Sequence, residues 1–291
     1  MIDLLAQSIF SGVLVGAYYA LIALGLALVF GTMRVINLAH GELVLLAGYI
    51  AYAAESRFGL NPMLALPFSV IIVGLTSVLV YLLLTRVKTD REINSLILTF
   101  GVGITLTNAI LMIWSADIRS TSTAWYQDAV IFGETLFAMN SELLFAIIGL
   151  CTVVAVWWWL SRSWYGRALR AVASNRDAAK LMGIDPRSTE LISFAVAGLL
   201  AAIAGIALYT GKVIQPSLGH ALTIKAFIIT VLAGLGSVPG VLVGAILIGV
   251  AETLTSTLWS SALSELVGMV LFLVVLLVMP SGLFGRIRRR G

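Results

Sequence analysis

The sequence predicts an all-α polytopic membrane protein, one transmembrane domain over residues 1–291 with about eight to ten spanning or re-entrant helices. Three observations predict it. Only 11% of the residues are charged, where a soluble globular chain carries roughly 25%. Hydrophobic residues make up 60%, and the mean hydropathy is +1.05. The apolar residues also come in long runs, and a helix rising 1.5 Å per residue needs about 20 of them to cross about 30 Å of hydrocarbon. The same numbers exclude a soluble enzyme, a disordered chain and a fibrous repeat. The runs are too long for barrel strands and do not alternate with period two, so strands are not expected.

Nine runs fall near 7–30, 38–54, 62–84, 94–114, 142–160, 190–210, 221–236, 240–258 and 264–280. The first, Gln7 to Phe30, reads as a retained span entered from the outer side. It is not a secretory signal, because no basic residue precedes Arg34. The second opens with Asn37-Leu38-Ala39-His40-Gly41-Glu42, where Asn37 is placed to cap the helix that follows. The fourth carries a polar ladder, Asn94, Thr99, Thr105, Thr107 and Asn108, which either lines a solute path or bonds neighbouring helices. Only Gly236-Ser237-Val238-Pro239-Gly240 divides the seventh run from the eighth, so they form two spans or a broken re-entrant pair. The pairs Gly12/Gly16 and Gly240/Gly244 bring small residues to one helix face, where backbones can approach closely. Gly41-Glu42-Leu43-Val44 and Gly240-Val241-Leu242-Val243 both open helices after a turn, a weak internal echo of the kind transporter repeats leave.

The net charge is +4, and the basic residues cluster. One group is Arg86, Lys88 and Arg91. A second is the loop 161–190, with Arg162, Arg167, Arg170, Arg176, Lys180 and Arg187. The third is the tail Arg286, Arg288, Arg289 and Arg290. Loop 115–141 is the reverse, with Arg119 against Asp117, Asp128 and Glu134. This is the pattern of membrane orientation and not of nucleic-acid binding. It predicts a membrane protein with the N-terminus outside, the loop 161–190 in the cytoplasm and the C-terminus cytoplasmic. Nine crossings satisfy that parity. Trp114, Trp125 and Tyr126 on the outer side, and Trp157, Trp158, Trp159, Trp164 and Tyr165 on the inner, suit interfacial belts facing membrane lipid.

Motifs for chemistry are thin. The nearest approach to a nucleotide-binding loop, Gly205 to Gly211-Lys212-Val213, has the wrong spacing and lacks the hydroxyl that reaches magnesium. His40 and His220 are the only histidines and form no His-Glu-x-x-His pattern. Cys151 is the single cysteine, which excludes an internal disulfide. No cofactor, metal or catalytic residue is expected. The informative groups are polar residues inside apolar runs, which are costly unless paired or functional. Asn37, His40, Glu42, Thr99, Thr105 and Asn108 are candidates for a translocation path, against a structural role in turns and helix contacts. Lys225 and Glu252 lie at similar depth in successive runs, and a buried ion pair between them is expected.

Within the loop 161–190, Asn175 to Gly183 reads as one short capped helix. Asn175 is a good N-cap. Asp177 falls in the positive first turn and Lys180 near the negative end. Gly183 suits the position just past the last turn, and Pro186 prevents continuation. Ala178, Leu181 and Met182 share a face. Such a short helix is not stable alone in water, so it docks either on lipid headgroups or on a protein.

Three segments carry a family resemblance. They are Ile36-Asn37-Leu38-Ala39-His40-Gly41-Glu42, then Gly166-Arg167-Ala168-Leu169-Arg170-Ala171-Val172-Ala173 running on through Gly183, and Val231-Leu232-Ala233-Gly234-Leu235-Gly236-Ser237-Val238-Pro239-Gly240. Together they resemble the branched-chain amino acid permease family of ATP-binding-cassette importers, specifically the shorter of its two permease subunits, and the similarity extends over essentially the whole chain. The resemblance implies a second permease subunit, in a heterodimer or a homodimer, two cytoplasmic ATPase subunits and a periplasmic solute-binding protein. It makes Asn175 to Gly183 the coupling helix, with Asn175, Arg176, Asp177, Ala178, Leu181, Met182 and Gly183 at the ATPase contact and Arg170 and Arg176 at its rim. It fixes no substrate-contacting residue. Urea, short amides or other amino acids on the same machinery, and an ion-coupled secondary transporter, are the alternatives.

Overall fold

The structure, a computed structural model, describes residues 1–87, 91–133, 135–234, 236–279 and 281–284, with the side chains of 91 and 92 excepted. Lys88, Glu134, Leu235, Arg286, Arg288, Arg289 and Arg290, named above, therefore lie outside the described residues. The helices are α1 (Ile2–Met33), α2 (His40–Phe58), α3 (Leu66–Leu84), α4 (Arg91–Trp114), α5 (Asn140–Arg162), α6 (Trp164–Ser174), α7 (Arg176–Leu181), α8 (Pro186–Gly211), α9 (Leu218–Ala233), α10 (Val238–Leu258) and α11 (Ser261–Val278). Each of the nine apolar runs becomes a helix, because a chain in hydrocarbon must satisfy its own backbone. Seven described helices are long and apolar enough to cross a membrane. The other two, α2 with Glu42, Glu55 and Arg57, and α9 with 16 residues, are the polar and the short one. The stretch 221–258 is thus two helices, α9 and α10, separated by a turn in which Gly234 and Gly236 take φ of 90° and 82°.

One expectation needs amendment. The loop after α4 contains a small antiparallel hairpin, β1 (Ala129–Phe132) with β2 (Leu136–Met139). It lies outside the apolar runs, where backbone pairing is local. The loop 161–190 also holds a helix that the sequence reading did not separate, α6.

Local chemistry accounts for most helix ends. Gly59, at φ 62°, closes α2, and Asn61 accepts from the Met63 amide to start the turn into α3. Asp185 accepts from the Arg187 and Ser188 amides ahead of Pro186, and Ser237 accepts from the Gly240 amide. The centre is α1, buried on all sides from Ala17 to Val29. Its Gly12 and Gly16 lie flat against α10, where an added Cβ would come within 2.6 Å of the Val250 Cα and 2.5 Å of the Ile246 Cα. Close packing of small residues replaces the hydrophobic drive that lipid removes.

Two sides emerge from the contacts between helix ends. On one, the Arg34 guanidinium donates to the Ala173 carbonyl (3.3 Å), the Tyr81 hydroxyl donates to the Arg187 carbonyl (2.9 Å), and the amide of Phe284 donates to the Ala233 carbonyl (3.1 Å). On the other, Gln7 meets Phe137, Ser8 meets Thr257, Tyr126 meets Asn61, and Arg119 and Ile214 exchange backbone hydrogen bonds. The first side holds Arg34, Arg86, Arg162, Arg167, Arg170, Arg176, Lys180 and Arg187, as the charge clusters anticipate.

The chain doubles back twice. After α1, residues 34–39 run without helix, and α2 starts alongside the middle of α1, where His40 Nε2 sits 2.9 Å from the Ile22 carbonyl. After α8, residues 212–217 do the same, with Ile214 packed level with Gly48 and Gly205. The starts of α2 and α9 then cross, so closely that a Cβ on Gly41 would lie 2.0 Å from the Gly219 carbonyl oxygen. The internal echo therefore pairs the start of α2 with the start of α9. Gly240, which the sequence pattern had offered as the counterpart, packs α10 against the end of α9 instead.

Candidate functional site

Two regions hold the polar groups. The first is a short rod on the basic side. Asn175 Oδ1 accepts from the amides of Asp177 (3.1 Å) and Ala178 (3.0 Å). At the other end, Gly183 (φ 79°) donates to the Lys180 carbonyl and Ile184 to the Ala179 carbonyl, the paired bonds that close a helix on a glycine. Ala179 is the residue turned inward, while Leu181 and Met182 are 89% and 82% exposed. Arg176 ties the rod to the bundle: its guanidinium lies 3.1 and 3.2 Å from the two carboxylate oxygens of Glu190, which is only 1% exposed. The Tyr81 hydroxyl of α3 reaches the same carboxylate at 3.5 Å. Just before the rod, α6 is anchored through Tyr165. Its ring stacks on Trp159, and its hydroxyl donates to the Thr189 carbonyl and meets Ser193, which in turn bonds Thr32 of α1. Arg170 donates to the Leu160 carbonyl (2.9 Å), so it braces α6 on the end of α5. Following the rod, the hydroxyl of Ser188 and the amides of Arg187 and Ser188 hold the exposed Asp185 carboxyl below its usual range.

The second region is a cavity of about 390 Å³ at the crossed starts of α2 and α9. Phe100, Gly103, Ile104, Thr107 and Asn108 form one stripe of α4 along it, and Leu38, Glu42 and His220 face them. The spacing of that stripe is one helix face. Glu42 is 4% exposed, with its carboxylate 3.4 Å from the Thr223 hydroxyl. Glycines on both neighbours make its room: a Cβ would lie 3.0 Å from Glu42 Cγ at Gly219 and 3.5 Å from its Cδ at Gly103.

Of the six path candidates, Glu42 and Asn108 line this cavity, and Asn108 donates to the Ile104 carbonyl. The others do not meet there. Asn37 Oδ1 accepts from the Ala39 amide in a turn just before α2, a step short of capping it. His40 is engaged inside the α1–α2 contact, its ring against Gly25. Thr99 is buried beneath Leu38 and accepts from its amide (3.1 Å). Thr105 lies one position off the stripe and donates to the Gly101 carbonyl. Lys225 and Glu252 are 3.0 Å apart, and the Tyr19 hydroxyl bonds both (3.0 and 2.9 Å), a closed triad joining α1, α9 and α10. Sequence reasoning missed Phe100, Gly103, Gly219, His220 and Thr223. It also missed Glu55, whose carboxylate collects Thr121, Ser122, Thr123 and Tyr209 and clamps the loop after α4 to α2 and α8. The run Ser120-Thr121-Ser122-Thr123 was the available signal for that clamp.

Among the described residues no cluster of three or more His, Cys, Asp or Glu side chains is placed to hold a metal. What the arrangement offers is a largely apolar cavity with a few polar groups between helices, and a surface rod wired to them, which suits solute passage. Comparisons with known proteins agree. A family model described as branched-chain amino acid transport system, permease component, matches residues 8–279. The high-affinity branched-chain amino acid transport system permease protein LivH of Escherichia coli is 32% identical over 295 residues, covering 96% of this chain and 95% of that protein. The corresponding protein BraD of Pseudomonas aeruginosa is 29% identical, with the same coverage. Among solved structures, PsaBC from Streptococcus pneumoniae in complex with Fab aligns over 96% of this chain and 92% of that one, with a TM-score of 0.51 and 13% identity, a likeness of fold.

Proposed function

The chain belongs to the branched-chain amino acid transport system permease family, and from that premise we propose that it is the transmembrane permease subunit of an ATP-binding-cassette importer for branched-chain amino acids. It is a multi-pass membrane component of a transport system and not an enzyme. Two ATPase subunits bind on the basic side and a solute-binding protein delivers cargo on the other. A second permease subunit covers the open face of α2, α4 and α9 and completes the path. The positive side is cytoplasmic. That places the N-terminus outside and the C-terminus inside the bacterial inner membrane.

The observation that carries this reading is α7. It is capped at both ends, and its last residue Leu181 and the following Met182 stand bare on the basic side. A rod so built is a docking element, and the ATPase groove is what it fits. When ATP binding closes the ATPases, α7 moves with them. Arg176–Glu190 passes that movement to α8, Tyr81 to α3, and the Tyr165–Ser193–Thr32 chain to α1. The helices tilt, and the cavity beside α4 faces outward and then inward. The permease need not hold solute tightly, because the receptor supplies affinity. The test is uptake in vesicles loaded with ATP and carrying the assembled permease, ATPases and receptor, with a panel of leucine, urea and polar amino acids. Selective, ATP-dependent leucine accumulation is expected. Accumulation by this chain alone on a proton or sodium gradient overturns the reading.

A further inference from the structure

We propose that the cavity at the crossed starts of α2 and α9 is a site for an aliphatic zwitterion, with the Glu42 carboxylate receiving the ammonium group. This rests on the function proposed above and names the subsite within it. Glu42 is buried, yet it opens on a cavity of about 390 Å³, within the range of about 300–1,000 Å³ that small-ligand sites occupy. Its fixed contact is the long one to the Thr223 hydroxyl, 3.4 Å. The half-buried lysine of α9 is already committed, since Lys225 pairs with Glu252 at 3.0 Å. Among the described residues no Lys or Arg lies at ion-pair distance from Glu42. A carboxylate in an apolar zone with no Lys or Arg partner is costly, and such residues mark solute pathways. The charge that acts on it is that of the His220 ring on the cavity wall, and an arriving ammonium group supplies a full cation.

The rest of the lining matches the rest of the solute. Leu38, Phe100 and Ile104 present apolar surface for a branched side chain, and His220 carries an N–H donor for a carboxylate. Gly103 and Gly219 hold open the space in which Glu42 sits. A neutral solute such as urea has no use for the carboxylate, so the site favours amino acids over amides.

The test uses the complete assembly with Cys151→Ser, which removes the single native cysteine, and Thr107→Cys as a reporter. N-ethylmaleimide labelling of that cysteine is followed with and without leucine. Leucine protection is expected, kept in Glu42→Asp and lost in Glu42→Gln. Leucine uptake by Glu42→Gln, in the otherwise unaltered chain, should fall by at least about tenfold, the scale of one lost charge-assisted bond, with receptor-stimulated ATP hydrolysis retained. Absence of protection with Glu42 in place overturns the site even if the Gln variant does not assemble. Wild-type uptake in Glu42→Gln overturns it as well. Either result leaves the transporter reading standing so long as the unaltered assembly accumulates leucine. If that assembly accumulates none, the reading itself has failed.

Discussion

Glu252, Glu55 and Glu42 lie within the helical bundle, and their surroundings differ. Glu252 has a cation, Lys225, and a tyrosine hydroxyl. Glu55 has hydroxyls and amides from the loop beyond α4 together with Tyr209. Glu42 has a long hydroxyl contact, the His220 ring and a cavity. Buried charges persist where they are paired, richly hydrogen-bonded or used; the first two arrangements are structural, and the third is the one proposed above for the solute. The glycine beside Glu42 is equally constrained. Gly41→Ala would drive a Cβ into the Gly219 carbonyl, and overpacking of this kind costs about 1–3 kcal/mol. A lowered melting temperature of the purified protein is expected, with the larger defect in uptake, because the crossing shapes the cavity. Outside the membrane, Asp185 gives a pH dependence. Its carboxyl titrates below the ordinary value of about 3.9 because the folded chain hydrogen-bonds the ionised form. The cap on α8 is therefore fully present at neutral pH and fades as pH falls through the depressed value. Protection of the Ser188 amide from hydrogen exchange should drop on acidification in the wild type and stay level in Asp185→Asn.

At the scale of elements, the rod and its tether do different work. Leu181 is nearly bare and makes no demand on the fold, so Leu181→Asp should leave the membrane helices intact and abolish co-purification with the ATPases and transport together. Normal uptake in that variant would remove the docking role. Glu190 sits beneath the rod and is buried. Glu190→Gln should let the ATPases bind and hydrolyse ATP while uptake per ATP falls, since the charged link between α7 and α8 is weakened. Equal coupling ratios in variant and wild type would show that movement travels through Tyr165 instead. Helices α2 and α9 owe their starting points to the unwound stretches 34–39 and 212–217. Non-helical backbone within a membrane is tolerated where protein surrounds it or it lines a cavity; Val35, Asn37 and Ala39 are buried in the first stretch and Ile214 in the second, and Leu38 lines the cavity.

For the whole molecule, sidedness follows from charge. Arginines and lysines concentrate at the ends where α1, α3 and α5 finish and α8 begins, and the clamp on Glu55 lies at the opposite end. In a Cys151→Ser background, a cysteine at Ser174 should react with an impermeant thiol reagent only from the cytoplasmic side. One at Ser260 should react only from the outer side. The reverse labelling would invert the orientation. The open face of α4 bears Thr107, Asn108 and Phe100 toward the cavity. The Thr107 and Asn108 side chains there are unsuited to lipid, and the second permease subunit proposed to cover them would make the path a property of the pair.

The sequence by itself determined the nine apolar helices and the capped rod. Hydrocarbon leaves the backbone no partner but itself, and caps such as Asn175 and Gly183 act within a turn of the residues they close. It also placed Lys225 and Glu252 at matching depth. Tertiary structure alone decided which polar residues face one another. Helices apolar on every side carry little periodic signal, so nothing local separated Thr105 from the stripe of Thr107 and Asn108, or turned His40 toward α1 and Glu42 toward the cavity. Those assignments came only when two interrupted chains crossed at Gly41 and Gly219, because the space around Glu42 is made by residues from α4 and α9, far away in sequence.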